Sequence, residues 1–84
     1  MQPIHELLNR IHWDPDFGVG RFELAFLDHT ARELVRMPFD KLSFVPGDHY
    51  FFHYLDEEGA AHSVPFHRIK SVYKNGELIW HREH

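Results

Sequence analysis

The chain has 84 residues, 43% hydrophobic and 26% charged, proportions that exclude a disordered tail or a collagenous repeat. It contains no cysteine, so disulfides, thiolate nucleophiles, zinc ribbons and iron–sulfur clusters are excluded too. Nine Lys and Arg against thirteen Asp and Glu leave a formal charge of −4, which argues against a surface that wraps polyanions broadly.

Histidine is unusually frequent. Full protonation of the nine histidines carries the formal charge from −4 to +5, and an unperturbed imidazole titrates near pH ~6.5. The length fits one domain over residues 1–84. Eight Phe, three Tyr and two Trp supply the bulk for a core. No apolar run approaches the roughly 18–20 residues of a membrane span. The first ten residues lack the basic stretch and apolar core of a signal peptide. A cytoplasmic protein with no membrane contact is expected.

In chain order, Ile4, Leu7, Leu8 and Ile11 recur at helical spacing, with Pro3 suited to the first turn. Asp14-Pro15 ends this helix, and Trp13 at the junction is expected to fold back over the core. Residues 21–28 alternate Phe22, Leu24 and Phe26 with Glu23, Ala25 and Leu27, the pattern of a strand with one buried face. Residues 29–32 connect it to a second strand at 33–37, which Pro38 ends. A helical turn over 40–44 leads to an aromatic strand at 49–55, in which Phe51 and Phe52 are expected to be core. The acidic turn 56–59 returns a fourth strand at 61–66.

Asn75-Gly76 between apolar runs predicts a hairpin with a type I′ turn. That register sets Lys74 opposite Glu77, Tyr73 opposite Leu78, Val72 opposite Ile79, His81 opposite Lys70 and Arg82 opposite Ile69. Both hairpin faces carry bulk, predicting helix cover on one and loop or sheet cover on the other. The fold class is α+β, one N-terminal helix on a curled antiparallel sheet of four to six short strands.

The connection at Pro65-Phe66-His67-Arg68-Ile69 holds the most suggestive chemistry. Arginine offers a planar fork of donors suited to phosphate oxygens, and histidine donates to an anion or exchanges a proton near neutrality. With Lys70, His81 and Arg82, five cationic or potentially cationic groups converge on one end of the hairpin. The competing reading pairs Arg68 with a carboxylate and leaves His67 to cap a turn. Asp28-His29, at the end of the first strand, is a second candidate. Neighbouring strand residues point to opposite faces, so Asp28 is expected to orient a group across the sheet rather than serve His29.

No metal site is expected. His49 and His53 lie about 13 Å apart on an extended strand at ~3.3 Å per residue, and the histidine at position 5 lacks the partner of a zincin helix. No phosphate-binding loop, nucleotide fingerprint or nucleophile elbow occurs, so no cofactor is expected.

These residues, together with Leu7-Leu8-Asn9-Arg10-Ile11, Trp13-Asp14-Pro15, Met37-Pro38-Phe39, Val64-Pro65-Phe66-His67-Arg68-Ile69 and the Gly76-Glu77 and Ile79-Trp80 pairs, resemble the RNA cyclic-group end recognition domain family. Where that family commonly has an arginine after the aspartate of the Phe-rich strand, this chain has His29. The resemblance implies a domain that stands alone or is joined to RNA-processing proteins, binding an RNA 3′ end that carries a 2′,3′-cyclic phosphate. Taken with the cationic cluster read above, the candidate binding residues are His67, Arg68, Lys70, Arg82, His29 and Asp28.

Three functions remain open on the sequence. A non-catalytic RNA-end binder uses Arg68 as the fork and His67 as a second donor. A phosphodiesterase uses His67 with His29 or His81 as acid and base. A protein-interaction module has only a solvated basic edge. The partners implied are an RNA end and RNA-processing enzymes; oligomeric state is not legible.

Overall fold

The computed structural model describes residues 2–28 and 32–82. Helix α1, Ile4–Trp13, forms where expected and buries Ile4, Leu7, Leu8 and Ile11. Pro3 stands outside it as the N-cap, and its carbonyl accepts from Glu6 and Leu7. The end is built by Asp14, whose Oδ1 accepts from the backbone N–H of Asp16 and of Phe17. Gly18 completes this exit. A Cβ there would lie 2.4 Å from the carbonyl oxygen of Ile11, so the chain can pass this close only without a side chain.

Seven strands follow: β1 (Phe22–Asp28), β2 (Glu33–Pro38), β3 (Leu42–Ser43), β4 (Phe51–Leu55), β5 (Ala61–Pro65), β6 (Ile69–Lys74) and β7 (Glu77–His81). The α+β class stands, and its strands divide between two antiparallel sheets, ordered β2-β1-β6-β7 and β3-β4-β5. A single helical turn at Phe39–Lys41 leads into the second sheet, and another at Phe66–Arg68 leads back to the first. This second turn therefore stands at the junction of the sheets.

The core lies between the sheets and α1. From β1, Phe22, Leu24 and Phe26 point inward, as the alternation requires. Phe26 meets Phe52 edge-on at 5.4 Å, and Phe52 stacks on Phe66 at 6.4 Å. The Trp80 indole N–H donates to the Gln2 carbonyl at 2.7 Å, pinning the last strand to the start of α1.

Three expectations fail here. Trp13 does not fold over the core but is 73% exposed, because the extended backbone of Asp14 turns the chain away there. Phe51 is 41% exposed while Phe52 is fully buried, since adjacent strand residues take opposite faces. Among the described residues, no helix or loop covers the outer face of the four-stranded sheet, where Leu27, Leu34 and Leu78 stay exposed. Arg36, paired with Ala25, lies 3.7 Å over the Tyr73 ring and bonds Glu23 at 2.8 Å, which accounts for the burial of Ala25.

The hairpin register also differs past its second pair. Lys74↔Glu77 and Tyr73↔Leu78 hold, but a bulge follows and the next pairs are Val72↔Trp80 and Ser71↔His81. Ile79 is the extra residue. The slip puts Trp80 on the inward face beside Val72 and carries Arg82 to Lys70, whose carbonyl accepts its N–H at 2.8 Å. His81 is thus opposite Ser71, not Lys70.

Candidate functional site

The register of β1 with β6 places Phe26 against Ile69. Arg68, one residue earlier, therefore lies beside the end of β1, where Asp28 stands. β4 and β5 supply the opposite wall. The result is a cleft of about 150 Å³ at the sheet junction, lined by Asp28, Tyr54, His62, Ser63 and Arg68 over a floor that includes Phe26 and Val64. A cleft of this volume is sufficient for a phosphate group.

Arg68 is half-buried in this cleft. Two other arginines are occupied: Arg10 sits 4.0 Å over Phe17 and 3.6 Å from Asp14, and Arg36 is bound to Glu23. Among the described residues, no carboxylate lies within ion-pair distance of the Arg68 guanidinium and no acceptor within hydrogen-bond distance.

The cleft holds an imidazole as well, from an unexpected residue. His62 donates from Nε2 to Asp56 Oδ2 at 2.8 Å and stacks on Tyr54 with ring centres 4.8 Å apart. Asp56 Oδ1 accepts from the N–H groups of Glu58 and Ala60, so one carboxylate builds the β4–β5 turn and orients His62. The His62 hydrogen bond, then that of Ala60, holds the Asp56 carboxyl below its ordinary value. The Tyr54 phenol is pushed up by burial first and by the charges of Asp28 and Asp56 next, so it keeps its O–H at neutral pH.

Of the expected site residues, Asp28 and Arg68 line the cleft, and His29 lies outside the described residues. His67 is exposed on the helical turn, and neither it nor Lys70 lines the cleft. Arg82 has a different occupation. It donates from Nε to the Ile69 carbonyl at 3.0 Å and from Nη2 to that of Phe66 at 3.2 Å, bracing the turn that carries Arg68. His81 does not line the cleft either. Tyr54, His62 and Ser63 were missed because the sequence signal, β5 returning after the acidic turn, gives their pairing but not their approach to Arg68. Tyr54↔His62 is a direct cross-strand pair. Among the described residues, no three His, Asp or Glu side chains are grouped to hold a metal ion.

The MJ1316 RNA cyclic group end recognition domain model matches residues 1–82, nearly the whole chain. The chain belongs to this family. The family's name implies recognition of RNA ends that carry a cyclic group, and a half-buried guanidinium with no carboxylate partner among the described residues is chemistry suited to such an end. No curated protein and no solved structure shows significant similarity to the chain. Within the described residues, no helix of this family member is long and apolar enough to cross a membrane.

Proposed function

We propose that the protein is a non-catalytic RNA-end binding module that holds a terminal 2′,3′-cyclic phosphate in the Arg68 cleft. The observation that carries the reading is a half-buried arginine, without an ion-pair partner among the described residues, in a cleft sized for a phosphate. Arg68 is the fork, Tyr54 keeps a neutral O–H donor, and the His62 ring, held by Asp56, is a polar wall beside them. His67 and Lys70 contribute charge to the approaching backbone from outside the cleft. Arg82 acts through the turn it braces.

Asp28 gives the cleft its selectivity. A cyclic phosphodiester carries one negative charge, whereas a linear phosphate monoester approaches two at neutral pH. With one guanidinium and one carboxylate in its lining, the cleft favours the monoanion, because each added negative charge is repelled by Asp28. The carboxylate that looks misplaced in an anion site therefore discriminates between the two ends.

Fluorescence anisotropy with one labelled oligonucleotide carrying cyclic, linear or hydroxyl 3′ ends tests this reading. Affinity is expected to fall in that order, and Arg68→Gln to remove the preference with a roughly 10- to 100-fold loss for the cyclic end, as for a hydrogen bond to a charged group. Asp28→Asn is expected to narrow the gap between cyclic and linear ends. Equal affinity of the native protein for all three ends removes the proposal.

A further inference from the structure

On the far side of the Phe66–Arg68 turn lies a second concavity. It is a groove of about 300 Å³ between α1 and the loop at 44–49, and Phe66 contributes to its floor. One turn thus forms a wall of both sites, with Phe66 in the groove and Arg68 in the cleft. We infer that this groove seats an unpaired nucleobase of the RNA whose end the cleft holds, an inference that rests on the reading of the Arg68 cleft above.

The groove's chemistry specifies that occupant. His5, Asn9 and Trp13 recur every four residues, a stripe of α1 about 12 Å long at 1.5 Å per residue, beside the buried stripe. All three are exposed and line the groove. Trp13 is an open stacking platform, and Asn9 has both a donor and an acceptor for a base edge. His12 is a fixed wall, with Nδ1 2.7 Å from the Leu8 carbonyl oxygen and its ring edge-on to Phe44 at 4.8 Å.

At one end, His5 and His49 meet edge-on with ring centres 6.0 Å apart. The Asp48 carboxylate also lines the groove, and its Oδ1 accepts from the N–H groups of Tyr50 and Phe51. The lining is therefore aromatic and hydrogen-bonding with little net charge, which suits a base and not a phosphate. Size separates the two sites in the same sense. The groove has about twice the volume of the cleft and reaches the lower limit of small-ligand pockets.

Trp13 also supplies the probe. Trp80 is buried and hydrogen-bonded, so changes in tryptophan emission report on Trp13. Trinucleotides with a cyclic-phosphate end are compared with versions abasic at either of the last two positions. The intact oligonucleotide is expected to quench emission and to bind about tenfold more tightly than at least one abasic version, within the range of base–aromatic stacking. In Trp13→Ala that gain disappears while the preference for the cyclic end persists. Asn9→Ala, a second exposed change, lowers the gain in part.

Equal binding of intact and both abasic oligonucleotides by the native protein overturns the inference. So does emission that varies with protein concentration without RNA, which assigns the groove to a second copy of the chain. The reading of the cleft fails differently. If the base-dependent gain is present but all three ends bind equally, the groove stands as an RNA contact and the end-binding proposal does not.

Discussion

Arg68 and Arg82 come from the same cationic cluster in the sequence, yet the structure gives them opposite occupations. Arg82 has two backbone carbonyls within hydrogen-bond distance, and Arg82→Ala is expected to cost about 1–3 kcal/mol in urea denaturation, because both acceptors lie in a part-buried site. Arg68→Gln breaks no ion pair among the described residues and is expected to leave the unfolding midpoint nearly unchanged while end binding falls. The pairing of a stability loss at one arginine with a binding loss at the other separates the two roles. Among the acids, Asp56, Asp14 and Asp48 are all held below their ordinary value of 3.8, chiefly by His62 at Asp56 and by backbone N–H donors at the other two. A lowered folded-state value means that the charged carboxylate contributes stability above pH 3.8, and that this contribution is lost as pH falls through the folded values. The thermal midpoint is therefore expected to drop on acidification below about pH 4, and Asp56→Asn to flatten part of that drop. A midpoint curve of unchanged shape in Asp56→Asn contradicts the role of Asp56 as a charged anchor.

The elements differ in how far local rules determine them. The β6–β7 turn is local. Asn75 and Gly76 have φ of 52° and 84°, the left-handed pair that a type I′ turn requires. A Cβ at Gly76 meets nothing within 4 Å, so Gly76→Ala is expected to cost only the conformational term, about 1–2 kcal/mol by chemical denaturation. Asn75 does more than turn the chain. Its Oδ1 accepts from Arg21 N–H at 2.9 Å and its N–H donates to the Arg21 carbonyl at 2.7 Å, tying the hairpin to the approach of β1. The bulge at Ile79 is not local. A regular hairpin would place Ile79 opposite Val72 on the inner face, and the extra residue places Trp80 there, where its indole reaches Gln2. Helix packing and one indole hydrogen bond outweigh one regular rung of the ladder.

For the whole molecule, the aromatic residues make one core from two sheets. Phe52 is fully buried where the sheets and the Phe66–Arg68 turn meet, touching Phe26, Phe44 and Phe66. Phe52→Ala is expected to cost about 3–5 kcal/mol, a large share of the stability of so small a domain. Because Phe52 packs against Phe66 in the turn that carries Arg68, the same change is expected to weaken end binding even in the folded fraction. Calorimetry and anisotropy on one preparation separate these effects. The whole-molecule charge also matters. With −4 at neutral pH, long-range attraction to RNA is weak, and the salt dependence of binding is expected to be shallow, about 0.7 per phosphate contact for a single strand.

By itself the sequence determined what depends on neighbours along the chain. The apolar period of α1, the alternation of β1 and the Asn75-Gly76 turn are short-range patterns, and each was legible, whereas of the cationic cluster read around Arg68 only Arg68 itself lines the cleft. So was the family resemblance, carried by Val64-Pro65-Phe66-His67-Arg68-Ile69. Only the tertiary structure decided which cations are occupied and what stands opposite Arg68. Asp28, Tyr54 and His62 reach its cleft from three strands in two sheets, and a contact across sheets leaves no period in the chain. The exposure of Trp13 follows the same logic, since whether an aromatic ring closes a core or walls a groove depends on where the next segment passes. Local stereochemistry wrote the elements, and the packing of two sheets through one helical turn placed the site.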